Sequence, residues 1–293
     1  MASPGTAPPL IYLTGNDRQT TISGTALLNV PTPEFMDPVR LRHAIRAGTF
    51  RDFTNLAAPG YVQANLVIVP GAWADDFEAY CHLNAQALPL LGRSRPGDPC
   101  LPDLAQDMDV RTDVGEYMVF RDGELVDTPR DIRPLWRGDL VAFALGCSFS
   151  FEAMLRAHGV RLRHLDEGTV SAMYVTDIDT QPAGPFGGKL VVSMRALRPA
   201  DAIAATIISD RYPQFHGRPV SIGLPESIGI ADLSRSYGGH GLTRLAPDEL
   251  PVFWACGATG QIAARQARLP LCITHHKAHM LVTDVPLPTG TPS

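Results

Sequence analysis

The sequence predicts an α/β fold, and three observations carry that prediction. Past Tyr212-Pro213, short apolar segments alternate with helix-like ones, the pattern of stacked sheet and helix layers. The run 139–155, DLVAFALGCSFSFEAML, passes from an apolar strand-like stretch through Gly146-Cys147 into a helical pattern. The run 61–69, YVQANLVIV, is mostly apolar and stops at Pro70, as a buried strand would.

Residues 1–36 are rich in Pro, Thr, Ser and Gly and read as a flexible arm able to reach another subunit of a homo-oligomer. Asp37-Pro38 is a helix start, and the helix is expected to run through Leu41 and Ile45 to Gly48. Ala58-Pro59-Gly60 turns the chain into the 61–69 strand, where Gln63 and Asn65 share one face. Buried amides need partners, so this pair marks a satisfied network or a binding surface. A helix over 72–87 and a strand over 88–91 precede a Pro/Gly-rich linker, 95–102, the first candidate domain boundary. Segments 117–120 and 124–126 flank Asp122-Gly123 and read as a β-hairpin. Strands are then expected over 173–178, 190–194, 220–222, 251–255, 271–274 and 280–285, with helices over 200–209 and 261–268. The tail 286–293 is again rich in Pro and Thr.

Composition excludes several classes. With 45% hydrophobic and 19% charged residues the chain is globular rather than disordered. A net charge of −5 argues against nucleic acid as a partner. The five cysteines are odd in number and form no C-x-x-C pair, which excludes a disulfide scaffold and a four-cysteine zinc site. No apolar run is long enough to cross a bilayer and the charged start of a secretory signal is missing, so no membrane association and a cytoplasmic location are expected.

Chemistry-bearing residues gather in two places. The 147–152 turn offers a thiol at Cys147, hydroxyls at Ser148 and Ser150 and a carboxylate at Glu152, beside helix N–H groups that favour an anion. The plain alternative is Ser148 or Ser150 as an N-cap. Glu152 needs a raised pKa to carry a proton, and Cys147 a lowered one to act as a nucleophile. The second knot is His275, His276 and His279. H-x-x-x-H at 275 and 279 binds a metal when both ride one helix face, but strands flank it, so hydrogen-bonding or acid–base histidines and no cofactor are expected. Arg111 and Arg195 suit a bidentate carboxylate clamp or an ion pair. Runs 143–147 and 253–257 both end in a Gly/Cys pair before a helix and read as two similar turns.

Several segments, in order, resemble one family: APGYVQANL at 58–66, DVRTD at 109–113, Tyr117 with Arg121-Asp122-Gly123, GCSFSFE at 146–152, VSMR at 192–195, VFWACG at 252–257, ITH at 273–275 and HMLVTD at 279–284. This is the "putative hydro-lyase" family, also called the D-glutamate cyclase family. The resemblance implies a three-layer α/β domain with a second, smaller two-layer α+β domain. The strand pattern assigns 37–105 plus 213–285 to the first and 106–212 to the second. The implied reaction is loss of water; for D-glutamate the α-amine attacks the γ-carboxyl to give 5-oxo-D-proline. For that reaction the residues singled out above offer Arg111 or Arg195 for the α-carboxylate of a small-molecule substrate, with Gln63, Asn65, Ser150 and His275 as further substrate-binding candidates. Ser148, Cys147, Glu152 and His279 are the catalytic candidates, with Ser148 on the oxyanion and Glu152 or His279 moving the proton; the family motif says which residues recur, not what each does. Where the family usually has T-H-x-P-G-H, this chain has His276-Lys277-Ala278 between Thr274-His275 and His279, which bears on substrate identity. A hydro-lyase is the expectation. The alternatives are a metal-dependent hydratase or hydrolase on His275 and His279, and a non-catalytic metabolite-binding protein.

Overall fold

The computed structural model describes residues 36–54 and 57–288. The expected arm, apart from Met36, and all but 286–288 of the expected tail lie outside the described residues. The strands are β1 (Tyr61–Pro70), β2 (Leu90–Arg93), β3 (Tyr117–Arg121), β4 (Glu124–Asp127), β5 (Leu140–Gly146), β6 (Ala172–Asp179), β7 (Lys189–Leu197), β8 (Ser221–Ile222), β9 (Leu250–Ala255), β10 (Cys272–His275) and β11 (Leu281–Pro286). The helices are α1 (Pro38–Arg46), α2 (Ala74–Leu83), α3 (Ser148–Ala157), α4 (Arg163–Asp166), α5 (Pro199–Asp210) and α6 (Ala258–Gln266). They accompany a seven-stranded sheet, β2-β5-β1-β10-β3-β4 with β11 also on β1, and a four-stranded sheet, β6-β7-β9-β8. All pairings between these strands are antiparallel, so the expected α/β class is met by a mixed fold with antiparallel sheets.

Local chemistry explains the elements. Asp37 caps α1 by accepting from the Val39 and Arg40 amides, with Pro38 in the first turn. Arg42 is fully buried and ties α1 to β11, donating to Val282 O at 3.0 Å and Asp284 Oδ1 at 2.7 Å. Asp122 (φ 50°) and Gly123 (φ 85°) both take the left-handed conformation that a tight hairpin turn demands. The second strand starts at Leu90 rather than 88 because the Leu88 amide bonds back to Asn84 and Pro89 has no N–H.

Both faces of the large sheet are buried. Val67, Val69, Phe143 and Leu145 pack against Phe77 and Tyr80 of α2 and Ala263 and Ala264 of α6. Leu66, Ile68, Ala142 and Ile273 pack against Leu101, Leu104, Met108 and Val110, an irregular segment. On the small sheet, Leu197, Val252 and Trp254 meet α3 and α5, while Met194 and Phe253 meet Ile228 and Ile230.

The sheets do not divide where the strand pattern suggested. β3, β4 and β5, within 106–212, belong to the large sheet; β8 and β9, within 213–285, belong to the small one. Long-range pairing decides this: β5 pairs with β1 from Ala64↔Gly146 to Pro70↔Leu140. The 95–102 segment read as a linker is anchored alongside β5, where Gly97 N–H donates to Leu140 O at 2.8 Å.

Candidate functional site

Three turns converge on the middle of β1. Ala64 pairs with Gly146 at the end of β5 and with Leu281 at the start of β11. Asn65 Nδ2 donates to Gly146 O at 2.7 Å, and a Cβ on Gly257 would stand 2.4 Å from that same Nδ2. A Cβ on Gly146 would lie 1.9 Å from Gln214 O, so only glycine fits there. The two Gly/Cys turns share their place before a helix but not their geometry: Cys147 before α3 is extended, whereas Gly257 before α6 is right-handed helical. Each leads into its helix, α3 after Cys147 and α6 after Gly257, with no side-chain cap hydrogen bond. Burial pushes the Cys147 thiol up to about 12, so it is no thiolate nucleophile. Ser148 and Ser150 are not caps. The cap position belongs to Cys147, and Ser150 Oγ instead accepts from Gln63 N–H at 3.1 Å.

Beneath the first turn lies a buried charge network. Arg195 Nε and Nη2 donate to Glu152 Oε1 at 3.0 and 2.5 Å. Nη2 also reaches Ser148 Oγ at 2.9 Å, and Nη1 reaches Ser193 Oγ at 2.5 Å. His164 Nε2 meets Glu152 Oε1 at 3.1 Å. The guanidinium carbon lies 5.0 Å from the Phe151 ring centre and 5.5 Å from that of Trp254. Burial alone would raise the Glu152 carboxyl, but His164 and Arg195 beside it pull it down to about 2. The raised pKa a proton carrier needs is therefore not found at Glu152, and the Arg195 fork is already occupied. Arg111 is occupied too: Nε and Nη2 hold Asp109, two residues back, at 2.9 and 2.8 Å.

The third turn joins β10 to β11. His275 ends β10 with its Nδ1 accepting from Leu66 N–H at 3.1 Å, and burial lowers its pKa to about 4. His276 to Met280 form a turn, not a helix, with Ala278 left-handed at φ 62°, a conformation that suits the glycine the family usually has there. His275 and His279 are not paired for a metal. Among the described residues the group whose ligand atoms come together is Glu116, His276 and His279. His279 is buried, and its Nδ1 has no hydrogen-bond partner among the described residues. Lys277 Nζ is likewise buried and without a partner among the described residues; burial lowers its pKa to about 8, opposed by Cys256.

The structure thus brings Gln63, Asn65, Cys147, Ser148, Ser150, Glu152 and Arg195 into one connected region and leaves Arg111 on its own carboxylate. Sequence reasoning singled out His276 only as part of the histidine knot and missed Lys277, Glu116 and His164 as site residues. Lys277 had a signal, being one of two lysines in the chain and lying where the family loop departs. Glu116 and His164 had none.

Comparison with known proteins gives the chain's family. The model of the D-glutamate cyclase family matches residues 141–284, from β5 to β11. A relative from Verminephrobacter eiseniae, named "Putative hydro-lyase", is 52% identical over 263 residues, covering 90% of this chain and 95% of its own. One of that name from Rhizobium johnstonii is 54% identical over 253 residues, covering 86% and 93%, and one from Bordetella petrii is 50% identical over 254 residues, covering 87% and 96%. These similarities define a carbon–oxygen lyase of the hydro-lyase class, and the chain belongs to the D-glutamate cyclase family of hydro-lyases. A solved nitrogen repressor-like protein from Methanococcus jannaschii is 10% identical with a TM-score of 0.38, over 85% of this chain and 96% of that one, a likeness too slight to carry an argument. No helix among the described residues is long and apolar enough to cross a membrane.

Proposed function

We propose that this hydro-lyase removes water from a small amino-acid-like dicarboxylate, of the type D-glutamate to 5-oxo-D-proline, where the Gly146 and Gly257 turns meet the β10–β11 loop. The observation that carries this reading is the Lys277 ammonium, buried with no hydrogen-bond partner among the described residues. A buried cation without a counter-charge is costly, and an anionic ligand relieves that cost. The N-termini of α3 and α6, without side-chain caps, add partial positive charge of the same sign.

In this reading Lys277 holds one carboxylate so that the amine and the other carboxyl meet. The neutral amine nitrogen bonds to the carbon of the γ-carboxyl group, the bond from that carbon to its hydroxyl oxygen breaks, and the oxygen leaves as water with a proton originating on the amine. Ser148 Oγ already accepts from Arg195, so its own hydrogen remains for the oxygen that gains charge. Glu152 acts through Arg195 as a positioning residue.

The test is Lys277→Met. Loss of a charge-assisted hydrogen bond of ~1.5–3 kcal/mol raises KM about 10- to 100-fold with a smaller change in kcat. The same substitution raises the urea midpoint, because a buried unpaired charge is gone, and Lys277→Arg restores part of the affinity. An unchanged KM in Lys277→Met contradicts the reading.

A further inference from the structure

We infer that Glu116, His276 and His279 bind a single divalent transition-metal ion of the zinc class. Their ligand atoms all lie within 4.8 Å of one another. His276 Nδ1 is 3.3 Å from Glu116 Oε2. Two ligands on a tetrahedral zinc, at ~2.0–2.1 Å from the ion, stand ~3.3 Å apart, so this pair is already at coordination spacing. The contact is not a hydrogen bond: His276 Nδ1 and His279 Nδ1 are both buried and have no hydrogen-bond partner among the described residues. Two orphaned imidazole nitrogens in one small cluster need an explanation that hydrogen bonding within the fold does not provide.

The backbone fixes the three side chains together. His275 pairs with Tyr117 in the β3–β10 register, so Glu116 and His276 follow on adjacent chain ends, and His276 N–H donates to Glu116 O at 2.8 Å. His279 N–H donates to His276 O at 3.0 Å, closing the turn that carries both imidazoles. Phe53 meets the His279 ring edge-on at 5.5 Å. Any side chain at position 115 would put its Cβ 2.5 Å from His279 Nδ1; glycine leaves that approach to the nitrogen open.

The donor set selects the ion. Two imidazoles and one carboxylate suit zinc and its first-row neighbours, whereas calcium and magnesium take oxygen ligands. The side chains of His276 and Glu116 are 37% and 27% exposed, so water can reach a fourth position. The H-x-x-x-H pair of the sequence, His275 with His279, is not this site, because His275 Nδ1 takes the Leu66 amide. The two histidines flank Lys277. Any part the ion plays in polarising a substrate carboxyl rests on the reaction proposed above; its binding does not.

The test uses the full-length chain, stripped with chelator and dialysed, then titrated with Zn2+ by calorimetry and with Co2+ by visible absorption. One ion per chain and an intense tetrahedral Co2+ band are expected. His276→Ala and Glu116→Gln each weaken binding by more than the ~10–100-fold typical of an outer-shell change, with circular dichroism of the metal-free protein unchanged. Gly115→Ala, which crowds His279 without removing a ligand, also weakens binding. The inference is overturned if no band appears, or if the His276→Ala/Glu116→Gln double variant binds as tightly as the parent. Binding without turnover would leave the metal site standing and count against the reaction alone. Undiminished turnover in protein that binds no ion would count against the metal site alone.

Discussion

Replacing Glu152 by glutamine asks whether the buried carboxylate is a strut or a proton carrier. Glu152 and Arg195 are 3% and 1% exposed, and the guanidinium is held by the carboxylate through two donors. The substitution leaves the arginine charge in place without its partner. Breaking a buried pair this way costs ~3–5 kcal/mol. Linkage gives a figure of the same order: a carboxyl moved from 4.5 to about 2 contributes about 3 kcal/mol to folding. Its folded pKa lies below the unfolded one, so the contribution is fully present above about 4.5 and is lost as pH falls toward about 2. Urea unfolding at neutral pH should therefore show Glu152→Gln less stable by ~3–5 kcal/mol, and acid titration should show a shallower loss of stability in the variant. If the variant unfolds at the parent's midpoint while turnover collapses, Glu152 carries a proton and the strut argument is refuted.

Other outcomes follow from the same geometry. Arg111→Ala should leave KM for a dicarboxylate unchanged and alter stability by ~0–1 kcal/mol, since a partly exposed pair with Asp109 is all it removes; a large KM increase would restore Arg111 as a substrate clamp. Burial lowers His216, 1% exposed with Nδ1 2.9 Å from Gln86 O, to about 4. Its folded pKa lies below the unfolded value of 6.5, so about 3 kcal/mol of stability should be lost as pH falls from about 6.5 to about 4. Urea midpoints across that range should fall less steeply in His216→Gln, and an equal slope would contradict the assignment.

Much of the fold is local and could be read from the chain. Asp37-Pro38 caps a helix, Asp122-Gly123 turns a hairpin, and the apolar run at 61–69 is the central strand because each signal acts within a few residues. Sheet membership is not local. Whether β5 pairs with β1 depends on backbone groups about 75 positions apart, and hydrophobic pattern alone does not name the partner. Charge partners were hidden for the same reason. Glu152 meets Arg195 43 positions away, and that pairing turns a candidate acid into a strut ionised at neutral pH and a candidate clamp into its counter-ion. The Gly/Cys echo was visible and is one of position only, each pair preceding a helix with a different backbone conformation at the cap. The 275–279 knot was visible as chemistry, but whether His275 or His276 faces Glu116 depended on where β10 ends.

The most direct test of the account is to incubate the purified chain with D- and L-amino dicarboxylic acids and follow each by mass and by chiral separation. The account predicts a product lighter by one water from a five-carbon amino dicarboxylate, formed from one enantiomer and much more slowly by Lys277→Met. Loss of no water from any member of the panel, or equal loss with Lys277→Met, would contradict it.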